Sequence, residues 1–279
     1  MRKLFQEDID VRPEDLVAGL LEACEIKEPP THDQLVFDFL NLKREPLPTE
    51  LVTTLSSTFG IAKIQAMLDL SEQIVLLHPH LEDNRERYAW ASLHEVGHYV
   101  LPDHRELLFK CSWQDLSLSA KKRLETEANR FAADLIFQND FFTEEASDEP
   151  LSIKVPIALR DRYRASFEAT IRRYVEKNPR PCALVVYRPK KTDDDDPEPS
   201  LEVQYSVRSH SWQHFAYILP HQLSSPESPE HRVFYQKSRG KEIIETDFIT
   251  GSDNQTARVF PSELFSNTYR VFQLVHPPK

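Results

Sequence analysis

The sequence predicts an α+β protein: a helical region with a small β-sheet, followed by a β-rich region. Three observations carry this. Apolar residues recur at helical spacing in several segments between residues 13 and 178. Two short apolar runs, one alternating through Ile64, Ala66, Leu68 and Leu70 and the other at 74–77, interrupt them as a hairpin. After Pro179-Arg180-Pro181 the pattern changes to short runs rich in Val, Tyr and Phe. The chain of 279 residues is long enough for two domains, and we place the boundary between 1–178 and 179–279.

Residues 13–25 read as a helix with Pro13 in its first turn. A second covers 33–42, with Leu35, Val36, Phe39 and Leu40 on one side. Thr49 can cap a third, which Gly60 can end. The hairpin follows. Its strand at 74–77 offers either an edge for an extended peptide or a strand paired within its own sheet. A long helix covers 84–101, a loop containing Trp113 covers 102–117, and a second long helix covers 119–138. The acidic stretch 139–150 reads as a surface loop or flap.

Residues 156–178 read as a helical pair broken near Ala165-Ser166, with Ser166 as a cap and Arg160, Arg162, Arg164, Arg172 and Arg173 along it. Beyond it, strands are expected at 182–187, 201–207, 232–236, 242–245 and 269–275, with an acidic loop at 193–196. The second domain's role is not legible from these residues, and a sensory role is only an analogy.

Composition narrows the function classes. The chain is 40% hydrophobic and has no apolar run long enough to span a bilayer. Its start, Met1-Arg2-Lys3-Leu4-Phe5-Gln6-Glu7-Asp8, lacks the apolar core of a signal peptide. Three scattered cysteines, Cys24, Cys111 and Cys182, read as reduced thiols, so the expected location is the cytoplasm. A net charge of −11 argues against a protein held to nucleic acid by phosphate contacts, and it suits a partner with a basic surface. No membrane partner is expected.

Chemistry concentrates in His94-Glu95-Val96-Gly97-His98. Residues i and i+4 stand on one helical face, so His94 and His98 can hold one zinc ion. Glu95 can take a proton from water activated there. Gly97 weakens a helix by about 1 kcal/mol relative to alanine, which points to a neighbour packed close to the backbone.

A catalytic zinc needs a third protein ligand. His104 has the metzincin spacing, but Leu101 stands where that signature needs glycine, and both methionines lie upstream of the motif. Glu125 falls on the apolar stripe of its helix with Leu124, Ala128, Phe131, Ala132 and Leu135, where a carboxylate needs a partner. Glu127, Arg130 and Asp134 fall on the wet face. Asn129 can accept from the outer ring nitrogen of a ligand histidine.

These segments resemble the ImmA/IrrE family of metallopeptidases. His94-Glu95-Val96-Gly97-His98 matches its His-Glu-x-Gly-His helix, and 125–135 is similar to its Glu-x-x-Ala-Asn-x-Phe-Ala-Ala-x-Leu helix. The resemblance spans about residues 30–175, and the family's Leu-Leu-Met-Pro ending is replaced by Leu135-Ile136-Phe137-Gln138. It implies a zincin-like, gluzincin-type fold and a zinc ion, or another divalent metal such as Mn2+, on His94, His98 and Glu125. It implies Glu95 as general base. It also implies cleavage of a helix-turn-helix transcriptional repressor in a stress or mobile-element response.

The expected activity is therefore a zinc-dependent endopeptidase. The alternatives are a peptidase-like module that binds without cutting and a DNA-binding regulator using the arginine-rich helical pair. Tyr163 and His104 are the candidates for stabilising the oxyanion.

Overall fold

The computed structural model describes residues 12–53, 65–110, 116–190, 198–212, 227–235, 242–250, 258–267 and 269–277. The described chain is mixed α+β with two separate sheets. Its contacts divide it into two units, one holding residues up to Phe142 with Asp161–Ser166, the other Thr143–Arg160 with Phe167–Lys279.

The first unit begins with α1 (Pro13–Ala23), which buries Leu16, Val17, Leu20 and Leu21. Then comes α2 (Asp33–Leu40), closed by Asn41 in the left-handed region at φ 55°. The expected helix from Thr49 is described only as far as residue 53, and Gly60 and Ile64 lie outside the described residues.

The hairpin forms as expected from β2 (Ala66–Asp69) and β3 (Ile74–Leu77), antiparallel with Leu68 opposite Val75. A further strand, β1 (Lys43–Pro46), pairs parallel to β3. Its Lys-Arg-Glu-Pro sequence carries no apolar alternation, so only the neighbouring strand defines it. The order β1-β3-β2 makes β3 central. The strand at 74–77 is therefore paired on both sides within its own sheet.

The two long helices of this unit are α3 (Arg85–Val100) and α5 (Leu118–Ile136). Asn84 Oδ1 accepts from the Arg87 N–H at 3.0 Å to start α3, and Ser117 Oγ accepts from the Ala120 N–H at 3.2 Å to start α5. Part of the loop expected at 102–117 is instead a helix, α4 (Pro102–Lys110). Pro102 ends α3 and opens α4, because a first helical position needs no N–H. Trp113 lies outside the described residues.

The expected acidic loop at 139–150 contains α6 (Phe141–Ser147). Phe142 anchors it, fully buried, with its ring centroid 4.9 Å from that of Phe137 and 5.1 Å from that of Tyr163. The helical pair forms as α7 (Lys154–Tyr163) and α8 (Phe167–Glu176).

The boundary expected at 178/179 falls inside the second unit, because α8 packs on the second sheet. The Phe167 ring lies 4.7 Å from Phe265 and 4.9 Å from Phe272. That sheet contains β4 (Ala183–Pro189), β5 (Leu201–Arg208), β6 (Ile243–Thr250), β7 (Arg258–Ser266) and β8 (Val271–Val275). The order is β5-β4-β8-β7-β6, antiparallel throughout.

The expected strand at 232–236 is, over its described residues 232–235, part of a helix instead, α9 (Pro229–Tyr235). Pro229 opens it, and His231 with Phe234 buries one face at i, i+3 spacing. Val233 and Phe234 join Val185, Val203, Phe260 and Val271 in one core. β7 escaped the sequence reading because Pro261 interrupts its apolar pattern. The acidic loop at 193–196 lies outside the described residues. No helix among the described residues is long and apolar enough to cross a membrane.

Candidate metal centre

α3 and α5 pack against each other, with Gly97 facing Ala128 and Phe131 at the contact. The close neighbour expected from that glycine is therefore the backbone of α5. This packing brings the side chains singled out in the two segments together. His94 Nε2 lies 3.2 Å from His98 Nε2. The Glu125 carboxylate reaches both rings, with Oε2 3.3 Å from His94 Nε2 and Oε1 3.6 Å from His98 Nε2. Among the described residues this is the one group of three with ligand atoms close enough to share a metal ion, all within 4.8 Å of one another.

The spacing fits a metal. Donors about 2.0–2.1 Å from a common tetrahedral centre stand about 3.3 Å apart, close to the separations here. Two imidazole nitrogens and one carboxylate are also a donor set that zinc accepts.

The outer nitrogens of the two rings are engaged as well. His94 Nδ1 lies 3.1 Å from Asn129 Oδ1, the contact expected of Asn129. His98 Nδ1 lies 3.0 Å from His104 Nδ1, and His104 Nε2 lies 2.9 Å from Glu127 Oε2. His104 is completely buried and stands behind His98 instead of joining the ligand atoms. Glu127 is not simply a wet-face residue, because it ties His104 from α5. Asp134, also expected on the wet face, is 2% exposed. The helical wheel missed both because α5 is covered on more than its apolar stripe, with α1 beside it: Glu14 pairs with Arg130 and its carbonyl accepts from Asn139.

The electrostatics follow from the packing. Both histidines hold the Glu125 carboxyl well below the usual carboxylate range, against the effect of its partial burial. Burial opposes a charge on His94, but contacts with Glu125, Glu95 and Asn129 outweigh it and raise that ring. Burial pushes the Glu95 carboxyl up, although both histidine rings counter it. Burial lowers His104 despite the Glu127 contact. Tyr163, one oxyanion candidate, is 1% exposed and packs its ring among Phe137 and Phe142.

Residues 50–174 match the family model described as the IrrE N-terminal-like domain, Peptidase_M78. This match supports the ImmA/IrrE family for the segment it covers. All three donor residues, Glu95 and the His104–Glu127 pair lie inside it. The IrrE-like domain ends within α8, and the five-stranded sheet follows it. A comparison with curated proteins gave no match. Among solved structures, a Mycobacterium tuberculosis transcriptional regulator is similar, with a TM-score of 0.56 at 12% identity over 99% of this chain and 79% of that one. At that identity the likeness is one of fold.

Proposed function

We propose that the chain is a zinc-dependent endopeptidase whose substrate is a protein, a helix-turn-helix transcriptional repressor. The observation that carries the proposal is the convergence of His94 Nε2, His98 Nε2 and the Glu125 carboxylate beside a buried Glu95, inside a peptidase-family domain. A zinc ion held by these three residues supplies Lewis-acid polarisation of the scissile carbonyl and of water.

The chain's own residues then handle the protons. Glu95 accepts a proton as the water oxygen bonds to the carbonyl carbon, and it returns that proton to the leaving nitrogen as the C–N bond breaks. Its burial suits both roles, because a carboxyl raised toward neutrality can take and return a proton. Asn129 and His104 hold the two imidazoles in position by their outer nitrogens.

β2 supports a place for the substrate backbone. β2 packs beside α3, and among the described residues it pairs only with β3. The other edge strand, β1, carries Lys43, Glu45 and Pro46, residue types that discourage strand addition. An extended segment can therefore add along β2 through main-chain hydrogen bonds. The repressor assignment draws on the family resemblance.

The test incubates zinc-loaded protein with the repressor encoded beside its gene. Cleavage by wild type that Glu95→Gln abolishes supports the proposal. Equal cleavage by Glu95→Gln removes Glu95 from the mechanism. Tight binding without cleavage, with zinc in place, supports the non-cutting module instead.

A further inference from the structure

We propose that Glu127 and His104 are positioning residues that fix which nitrogen of His98 faces the metal. The inference deepens the metal-site reading and rests on it. Two contacts carry it. Glu127 Oε2 lies 2.9 Å from His104 Nε2, and His104 Nδ1 lies 3.0 Å from His98 Nδ1. His104 sits on α4, which lies between α3 and α5 in the sequence, and is 0% exposed.

Donor and acceptor roles in this chain are not free. A carboxylate only accepts, so His104 Nε2 must carry hydrogen. A neutral imidazole has one donor and one acceptor, so His104 Nδ1 is then the acceptor. Its neighbour at 3.0 Å, His98 Nδ1, must therefore be the donor. With the hydrogen on Nδ1, His98 keeps its lone pair on Nε2, the atom facing His94 and Glu125. Glu127 thus sets a ring two hydrogen bonds away. His94 reaches the same tautomer in one step, because Asn129 Oδ1 accepts from its Nδ1. Carboxylate-to-histidine support of a ligand ring is a common outer-shell device. Here a second histidine is inserted between the carboxylate and the ligand.

The arrangement also assigns different work to two acids separated by one residue on α5. Glu125 faces both imidazoles directly, and Glu127, which also pairs with Arg123, reaches that of His98 through His104. Glu127→Leu should therefore have no further effect once His104 is gone. Glu127→Gln retains an oxygen that can accept from His104 Nε2 and should rescue much of the loss.

The experiment uses the full chain with 15N-labelled histidine. Long-range proton–nitrogen spectra report the tautomer of each ring, and chelator competition reports zinc affinity. Wild type is expected to show His98 protonated at Nδ1 and to bind one zinc. Glu127→Leu should mix the His98 tautomers and weaken zinc binding about 10–100-fold. His104→Leu should weaken it as much, the double variant no more, and Glu127→Gln should lie near wild type. A zinc-loaded wild-type His98 carrying its hydrogen on Nε2, or a Glu127→Leu protein with unchanged tautomer and affinity, overturns the relay. Should Glu127→Leu fail to fold, the same spectra of wild type and Glu127→Gln decide the tautomer. Failure of wild type to bind zinc overturns the metal reading alone, because the His104 tautomer, with its hydrogen on Nε2 toward Glu127, is read in the metal-free protein.

Discussion

Gly97 on α3 lies against the backbone of Ala128 on α5, and this contact sets the spacing of His94 and His98 from Glu125. A Cβ at position 97 would stand 3.2 Å from Ala128 Cα, 3.3 Å from its carbonyl oxygen and 3.4 Å from Phe131 Cβ. Two of these atoms are backbone and cannot swing aside. His98 follows Gly97 directly, and Glu125 lies one turn before Ala128. Any widening here therefore separates the imidazoles from the carboxylate.

Gly97→Ala should consequently loosen the metal site more than the fold. Alanine favours the helix by about 1 kcal/mol, which offsets part of the strain of moving α5 by a few tenths of an ångström. Thermal denaturation of metal-free protein should show little change, while zinc competition shows a clear loss of affinity. Gly97→Val adds bulk without that compensation and should destabilise by about 1–3 kcal/mol. Unchanged zinc affinity in both variants would mean that the helices adjust without moving the ligands.

Glu95→Gln separates holding the metal from using it. Glu95 is 8% exposed and is not one of the three converging residues. Its amide variant should bind zinc as wild type does and lose about 10²–10⁴-fold in hydrolysis. Metal content and single-turnover cleavage on the same preparation check both halves. Loss of zinc would instead give Glu95 a structural part in the site.

At the proposed site, protons would compete with zinc for the same atoms. In the metal-free protein the His94 ring is raised from its ordinary 6.5 by Glu125, Glu95 and Asn129, whose pull exceeds the opposing effect of burial. Glu125 is depressed from 4.5 by the two histidines. A raised histidine stabilises the fold below its unfolded value and loses that contribution as pH rises through its folded value. A depressed carboxylate stabilises it above its unfolded value and loses that contribution as pH falls through its folded value. Both contributions are present together between about pH 4.5 and 6.5.

Urea midpoints of metal-free wild type and Glu125→Gln should therefore differ most near pH ~5.5 and converge toward pH ~8. Zinc affinity of wild type should rise over the same interval, because binding displaces the His94 proton. A flat difference across pH would show that the pair carries no proton-linked stability.

The site was more legible in the sequence than the layers around it. Two helices with strong periodicity carried His94, His98, Glu125 and Asn129, and i, i+4 geometry follows from the helix alone. Glu127 and Asp134 were misplaced because a wheel describes one helix. Their surroundings come from α4 and α1, elements whose docking is tertiary. Similar limits explain the strands. β1 is polar and exists through its pairing with β3, whereas residues 232–236 carry the strand-forming types Val233, Phe234 and Tyr235 but follow Pro229, which opens a helix.

In the five-stranded sheet, a buried hydrogen-bond chain offers a test of the fold that is independent of the metal. The Tyr187 hydroxyl donates to Gln273 Oε1 at 2.7 Å, Gln273 Nε2 donates to Ser262 Oγ at 3.0 Å, and the Ser262 hydroxyl donates to the Thr246 carbonyl at 3.0 Å. The chain crosses β4, β8, β7 and β6, and Gln273 is 0% exposed. Gln273→Leu strands the Tyr187 hydroxyl without its acceptor and should destabilise by about 1–3 kcal/mol. Adding Tyr187→Phe removes the stranded group and should recover much of that loss, since replacing both partners of a buried bond by apolar groups is close to neutral. Chemical denaturation of the single and double variants measures the difference. Additive losses in the double variant would show that Tyr187 and Gln273 do not depend on each other.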